Sequence, residues 1–428
     1  MTLAPVTVAV CAALILLIPF AFAGLALMNC GFGRSRSAAH ALMAALTVAA
    51  VAATAYVVCG FAWQGSAGRP AYALIVSGKP WNWIGAERFF LSGLDFDGSP
   101  AALAACFGVF AAALAACIPL GAGAERWRLA GSIASAAVLG GWTFPLFAHW
   151  VWGGGWLEQL GSNYGLGIGF ADAGGAGAIQ VVGGLTALSV AWILGPRRGK
   201  YSPDGMPAAI PGHNSAFVLC GCLLALTGWL GLNGAGAILF YDVAPARLGL
   251  IAINTFLVAG SALLVTALVT RARFSKPDAS LSANGWVAGL VASSAGAPFL
   301  PPAAALIVGI VTGALVPVCI EWFELHLGID DPGGAVSVHG VAGLWGLLAA
   351  GLFARFPGGR PDQVLAQLMG IAALLGFVLP LTYGANWILN RLVRYRVAPE
   401  GERQGLDLHE LGANAYPEAA GYLDEMQR

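Results

Sequence analysis

The chain has 428 residues, 58% of them hydrophobic and 10% charged, with 21 Lys and Arg against 21 Asp and Glu. A soluble domain carries about a quarter charged residues, so this composition excludes one, and zero net charge leaves no basic surface for nucleic acid. The eight cysteines are scattered, mostly in apolar runs (Cys11, Cys59, Cys106, Cys117, Cys220), and form no CxxC pair. They read as small core residues rather than metal ligands or a disulfide frame.

A helix that crosses a bilayer needs about 20 apolar residues. Such runs recur at about 5–29, 38–63, 100–123, 130–152, 173–195, 213–238, 247–270, 284–300, 302–321, 332–354 and 364–390. The pattern predicts an all-α integral membrane protein of about eleven transmembrane helices. The first run starts close to Met1 but has no basic n-region and exceeds the apolar core of about 7–15 residues of a signal peptide, so it reads as a retained helix. Segment 64–99 is long, and its Trp81, Trp83, Phe89 and Phe90 suit an ordered lid or interface element. Within 284–321, Gly296, Pro298, Pro301 and Pro302 mark a tight turn between two short spans. From 396 onward the sequence turns polar and charged with no spanning run. That divides the chain into a transmembrane domain, 1–395, and a tail, 396–428, either disordered or docked.

Basic residues in short loops set orientation. Arg34 and Arg36 follow the first span, Arg126 and Arg128 the third, Arg197, Arg198 and Lys200 the fifth, and Arg271, Arg273 and Lys276 the seventh. The tail adds Arg391, Arg394, Arg396 and Arg403, whereas loop 153–171 has no Lys or Arg. This alternation places the N-terminus outside and the tail in the cytoplasm of a cell whose inner membrane holds the protein. Loop 321–330 dissents, with no basic residue on what should be the cytoplasmic side.

The most informative feature is a repeat. Asp172-Ala-Gly-Gly-Ala opens the fifth span and Asp331-Pro-Gly-Gly-Ala the tenth; each places a polar residue, Gln180 or His339, eight positions after its Asp, then V-x-G-L. An offset of five spans reverses direction, which predicts an inverted repeat. Each Asp suits an N-cap, with Pro332 at a first helical position. Eight residues of helix rise about 12 Å, so the two polar side chains approach mid-membrane from opposite faces. His339 is the ionisable residue lying deep within a predicted span, a functional position by default. A chance match of glycine-rich helices, and a histidine bonded to a neighbouring carbonyl, are the competing readings.

At these residues the chain resembles the ammonium transporter family (Amt/Mep/Rh), from about residue 5 to about 417. The resemblance is carried by Gly123-Ala-Glu-Arg126, His149-Trp-Val-Trp-Gly-Gly-Gly155, the opening of the fifth span and Gly195-Pro-Arg-Arg-Gly-Lys-Tyr201. It continues in Trp229-Leu-Gly-Leu-Asn233, Asp330-Asp-Pro332, Val338-His-Gly340, Gly405-Leu-Asp407 and Asn414-Ala-Tyr416. It implies an eleven-helix subunit with pseudo-twofold symmetry, one pore per subunit, assembled as a homotrimer. It also implies that Trp152 recruits ammonium at an outer vestibule with Phe107 nearby, that Asp172 supports that site, and that His339 is the second of two pore histidines. The tail motifs match those of family members that bind a PII-type signalling protein.

The sequence also departs from the family. Gln180 stands where most members have the first pore histidine. Leu232 and Ala111 stand where two stacked phenylalanines close the pore mouth, with Phe110 adjacent, and Gly236 stands where a hydroxyl helps hold the ion. A Gln does not titrate, so the usual paired-imidazole proton relay cannot operate. The expected function is ammonium or ammonia transport without a cofactor; an ammonium sensor on the same scaffold is the alternative. An enzyme is disfavoured, because no nucleophile–base pair, nucleotide loop or metal spacing is present.

Overall fold

The computed structural model describes residues 3–69, 71–356 and 362–416. Among these, ten helices are long and apolar enough to cross a membrane: α1 (Pro5–Phe32), α2 (Ser35–Gln64), α3 (Pro100–Gly123), α4 (Leu129–Trp152), α5 (Ala176–Leu194), α6 (Ser215–Tyr241), α7 (Pro245–Phe274), α9 (Pro302–Leu327), α10 (Val336–Phe353) and α11 (Gln363–Leu392). The chain is a multi-pass helical membrane protein. The eleventh element, α8 (Ala279–Ser293), has 15 residues.

The span expected over 284–300 is therefore corrected. Its helix begins earlier, because the Asp278 carboxylate accepts from Leu281 N and caps the first turn. It ends at Ser293, and the chain reaches Pro301 through a turn. Irregular backbone is tolerated at membrane depth only where protein satisfies it. Here the Asn254 side chain on α7 donates to Ala297 O at 2.9 Å and Leu300 O at 2.8 Å.

The fold is not wholly helical. Segment 64–99 contains an antiparallel hairpin, β1 (Ala71–Val76) and β2 (Lys79–Gly85). Aromatic packing anchors it: Trp81 stacks on Trp156 at 5.3 Å, and Trp150 Nε1 on α4 donates to Trp83 O at 2.8 Å. Alternating β-branched and aromatic residues around Ser77-Gly78 favour such a hairpin. Its aromatics suggest only an ordered lid or interface element.

On the opposite face, buried charges tie the corners together. Arg126, fully buried, donates to Gly195 O and Asp330 O at 2.7 Å each. Arg197 pairs with Asp330 and Glu125 at 2.9 Å, and Glu125 also pairs with Arg34. Burial works against ionising Asp330, but Arg197 and Arg126 hold its carboxyl below the ordinary range. The tail docks on this face through a short helix, α12 (Pro399–Gln404), and a following π-helical turn, Asp407–Leu411. Glu402 accepts from Arg198 N at 2.6 Å, and Tyr416 Oη lies 3.0 Å from His213 Nε2. Residues 417–428, the end of the expected tail, lie outside the described residues.

A polar pair between inverted repeats and an aromatic site beside it

The helices that carry the two motifs start in the same way from opposite faces. Asp172 Oδ2 accepts from Gly177 N and Ala178 N at 2.9 Å, and Asp331 Oδ2 accepts from Val336 N at 2.7 Å. Each carboxylate thus satisfies orphan donors of a π-helical opening turn, Ala176–Val181 in one repeat and Val336–Val341 in the other. Asp172 lies on the hairpin face beside Trp152, whose Nε1 donates to Asp172 O at 2.9 Å. Asp331 follows Asp330 of the charged network on the tail face.

The repeats cross by reciprocal contacts. A Cβ at Gly184 would collide with Gly340 N, and one at Gly343 would stand 2.6 Å from Val181 Cγ2. Gly184 and Gly343 are equivalent positions in the two motifs, as are Val181 and Gly340. The same contact is therefore made twice, with the roles of the repeats exchanged, as a pseudo-twofold axis requires. The glycines let the backbones approach this closely.

At the crossing, His339 Nδ1 donates to Gln180 Oε1 at 2.7 Å. Gln180 is fully buried, and its Nε2 has no protein partner, so the amide presents an unused donor inside the protein. A small cavity borders His339, lined by Asn29, Phe32, Asn284 and Val338.

On the hairpin side the site residues expected from sequence lie together. Trp152 and Phe107 meet edge to face with centroids 5.6 Å apart. Ala111, one turn further along α3, and Leu232 on α6 are both fully buried. Gly236 leaves no room for a side chain, since a Cβ there would collide with Ala173 O. A residue that sequence reasoning missed completes the group: Phe240 on α6 stacks on Trp152 with centroids 4.5 Å apart and planes 5° from parallel. Its signal was helical spacing, because Leu232, Gly236 and Phe240 recur every four residues along one face. Tyr241, the next residue, accepts from Asp172 N at 2.7 Å.

Inverted repeats that cross at a buried polar pair, within a helical membrane protein, define the transporter class of fold. The chain belongs to the Ammonium Transporter Family, whose profile matches residues 6–416. It is 35% identical over 423 residues to "Ammonium transporter Amt2" of Archaeoglobus fulgidus, covering 94% of this chain and 86% of the relative. It is 32% identical to "Ammonium transporter Amt1" of Haloferax mediterranei, covering 95% and 78%. A solved structure titled "Sensor Amt Protein" superposes with a TM-score of 0.84 at 29% identity, over 95% of this chain and 97% of that one. Mep2 of Candida albicans, at 24% identity and a TM-score of 0.78 over 92% and 86%, shares the fold.

Proposed function

We propose that the chain moves ammonium or ammonia across a bilayer through a pore of its own. The observation that carries the reading is the Gln180–His339 pair, buried where the inverted repeats cross and bordered by a small cavity. The relatives named as ammonium transporters, matched over most of their length, supply the substrate. In this reading Trp152 and Phe107 recruit the cation, a contact that gains about 0.5–2 kcal/mol over an indole face. Asp172 and Asp331 hold the two helix openings in place. Gln180 and His339 line the path, and Ala111 and Leu232 leave its mouth without the usual phenyl pair.

The basic loops orient the tail face toward the cytoplasm of an inner membrane. Three copies assemble, each with its own pore, and the docked tail offers a surface to a PII-type protein. Sensing is the second reading, raised by Gln180 at the position where the family resemblance implies a pore histidine; the relatives named as transporters favour transport over it. Current recorded from reconstituted protein under an ammonium gradient tests the proposal. Ammonium binding without current would replace transport by sensing.

A further inference from the structure

Phe240 is the residue of the aromatic group to which the proposed function assigns no role. Its ring lies parallel to the Trp152 indole at 4.5 Å, and Phe107 stands edge-on to both, 5.6 Å from Trp152 and 5.3 Å from Phe240. Phe107 is fully buried and Trp152 is 5% exposed, while Phe240 is half-buried. Phe240 is thus the ring of the three that borders open space. Helix α6 ends one residue later, and Asp242 takes a left-handed conformation, so no further helical turn packs over it.

Trp152 is held in place. Its indole N–H is bonded to Asp172 O, and the Asp172 N–H is bonded in turn to Tyr241 Oη. A cation binds an aromatic residue over the ring face. Rings 4.5 Å apart and nearly parallel are in contact and leave no gap for an ion. With so little of Trp152 exposed, its other face is packed as well.

We infer that Phe240 is a lid over the Trp152 cation site and sets how readily that site admits its ligand. The inference rests on the reading of Trp152 as the recruiting residue. The phenyl ring and the cation compete for one indole face, so ammonium or methylammonium binds only when Phe240 swings aside. Occlusion thereby moves outward along α6, from the level of Ala111 and Leu232, which carry no rings to stack, to Phe240. Apparent affinity is then the intrinsic affinity reduced by the fraction of molecules with the lid open.

The test uses the full chain, purified in mild detergent and also reconstituted in liposomes, with methylammonium as the probe. Natural protein, Phe240→Ala, Phe240→Leu and Trp152→Ala are compared by calorimetric titration and by uptake. An aromatic stack of this kind shifts the open–closed balance roughly two- to tenfold. Phe240→Ala should therefore bind methylammonium about two- to tenfold more tightly, and uptake at low concentration should rise with it. Phe240→Leu keeps the bulk without the stack and should fall between natural protein and Phe240→Ala; it decides the matter if Phe240→Ala fails to fold. Unchanged or weaker binding in the folded Phe240 variants would overturn the lid, weaker binding making the ring a second wall of the site. Absence of binding to natural protein and to both Phe240 variants alike, or full binding in Trp152→Ala, would instead overturn the reading of the Trp152 site and take the lid with it. Because binding is read separately from uptake, a protein that binds without conducting still tests the lid.

Discussion

The carboxylate of Asp407 caps the N-terminus of a helix 367 residues away in sequence, accepting from His40 N at 2.7 Å and from Ala39 N at 3.1 Å. Ser37, which precedes the α-helical run of α2 that begins at Ala38, makes no side-chain cap to it, so the tail supplies what that run lacks. A fully buried anion at a helix N-terminus gains from both the free N–H groups and the helix dipole.

Asp407→Ala should therefore free the tail. Hydrogen bonds to a charged group are worth about 1.5–3 kcal/mol each, so losing two outweighs what a short peripheral segment holds in reserve. Hydrogen exchange over 399–416 should quicken on the order of tenfold or more, with α3 and α5 unaffected. Unchanged protection in that segment would mean that Glu402 and Glu410 suffice to dock it.

Glu410 makes docking sensitive to acid. Burial opposes its ionisation, but His40, Leu129 N and Arg128 prevail and hold its carboxyl below the ordinary range. A carboxyl depressed in the docked state contributes stability above its free value of about 4.3, and that contribution is lost as pH falls through the lower docked value. Tail protection, corrected for intrinsic exchange, should decline below about pH 4. Glu410→Gln should dock more weakly at neutral pH and lack the part of the acid decline that Glu410 contributes.

The buried ion cluster should matter more to the whole fold. Removing one partner of a buried pair strands the other charge and costs about 3–5 kcal/mol. Asp330→Asn leaves Arg197 with Glu125 alone and weakens the tie between the α5 end and the loop before α10. Thermal unfolding should move down by several degrees, well beyond the effect of Glu321→Gln, whose pairing with Arg273 is exposed. Equal shifts for the two variants would show that the cluster contributes no more than a surface pair.

Assembly is a separate expectation. Three copies per particle should appear by mass measurement in mild detergent, and a population of monomers or dimers alone would count against one pore per subunit in a trimer.

Much of this architecture is legible in the sequence because lipid makes strong demands on it. Spans must be long and apolar, and a repeated Asp with a polar residue eight positions on is readable as a pattern even though the two polar residues differ. The sequence therefore located Gln180 and His339, and their facing geometry follows from helical rise. The α8 boundary was hidden because the turn after Ser293 is as apolar as the helix, and its carbonyls are satisfied by Asn254, distant in sequence. Phe240 was hidden because one more Phe on a membrane helix is unremarkable until Trp152 is seen beneath it. Tail docking was open for a similar reason, since Asp407 looks like any solvated acid until α2 is placed against it.

The last prediction concerns Gln180 and His339 together. Natural protein joins them by one hydrogen bond and leaves the Gln180 Nε2 donor unused. His339→Ala removes the partner of a buried amide, and an unsatisfied buried polar group costs about 1–3 kcal/mol. A modest loss of stability should therefore accompany a large loss of ammonium current. Gln180→His should place two imidazoles in contact and restore a titratable pair able to relay protons. If deprotonation is what excludes K⁺, Gln180→His should discriminate ammonium from K⁺ better than natural protein does. Current that appears only in Gln180→His would mark the natural residue as a seal and the protein as a sensor. Currents measured for ammonium and K⁺ in all three proteins separate these outcomes, and equal currents with equal selectivity would place the pore away from this pair.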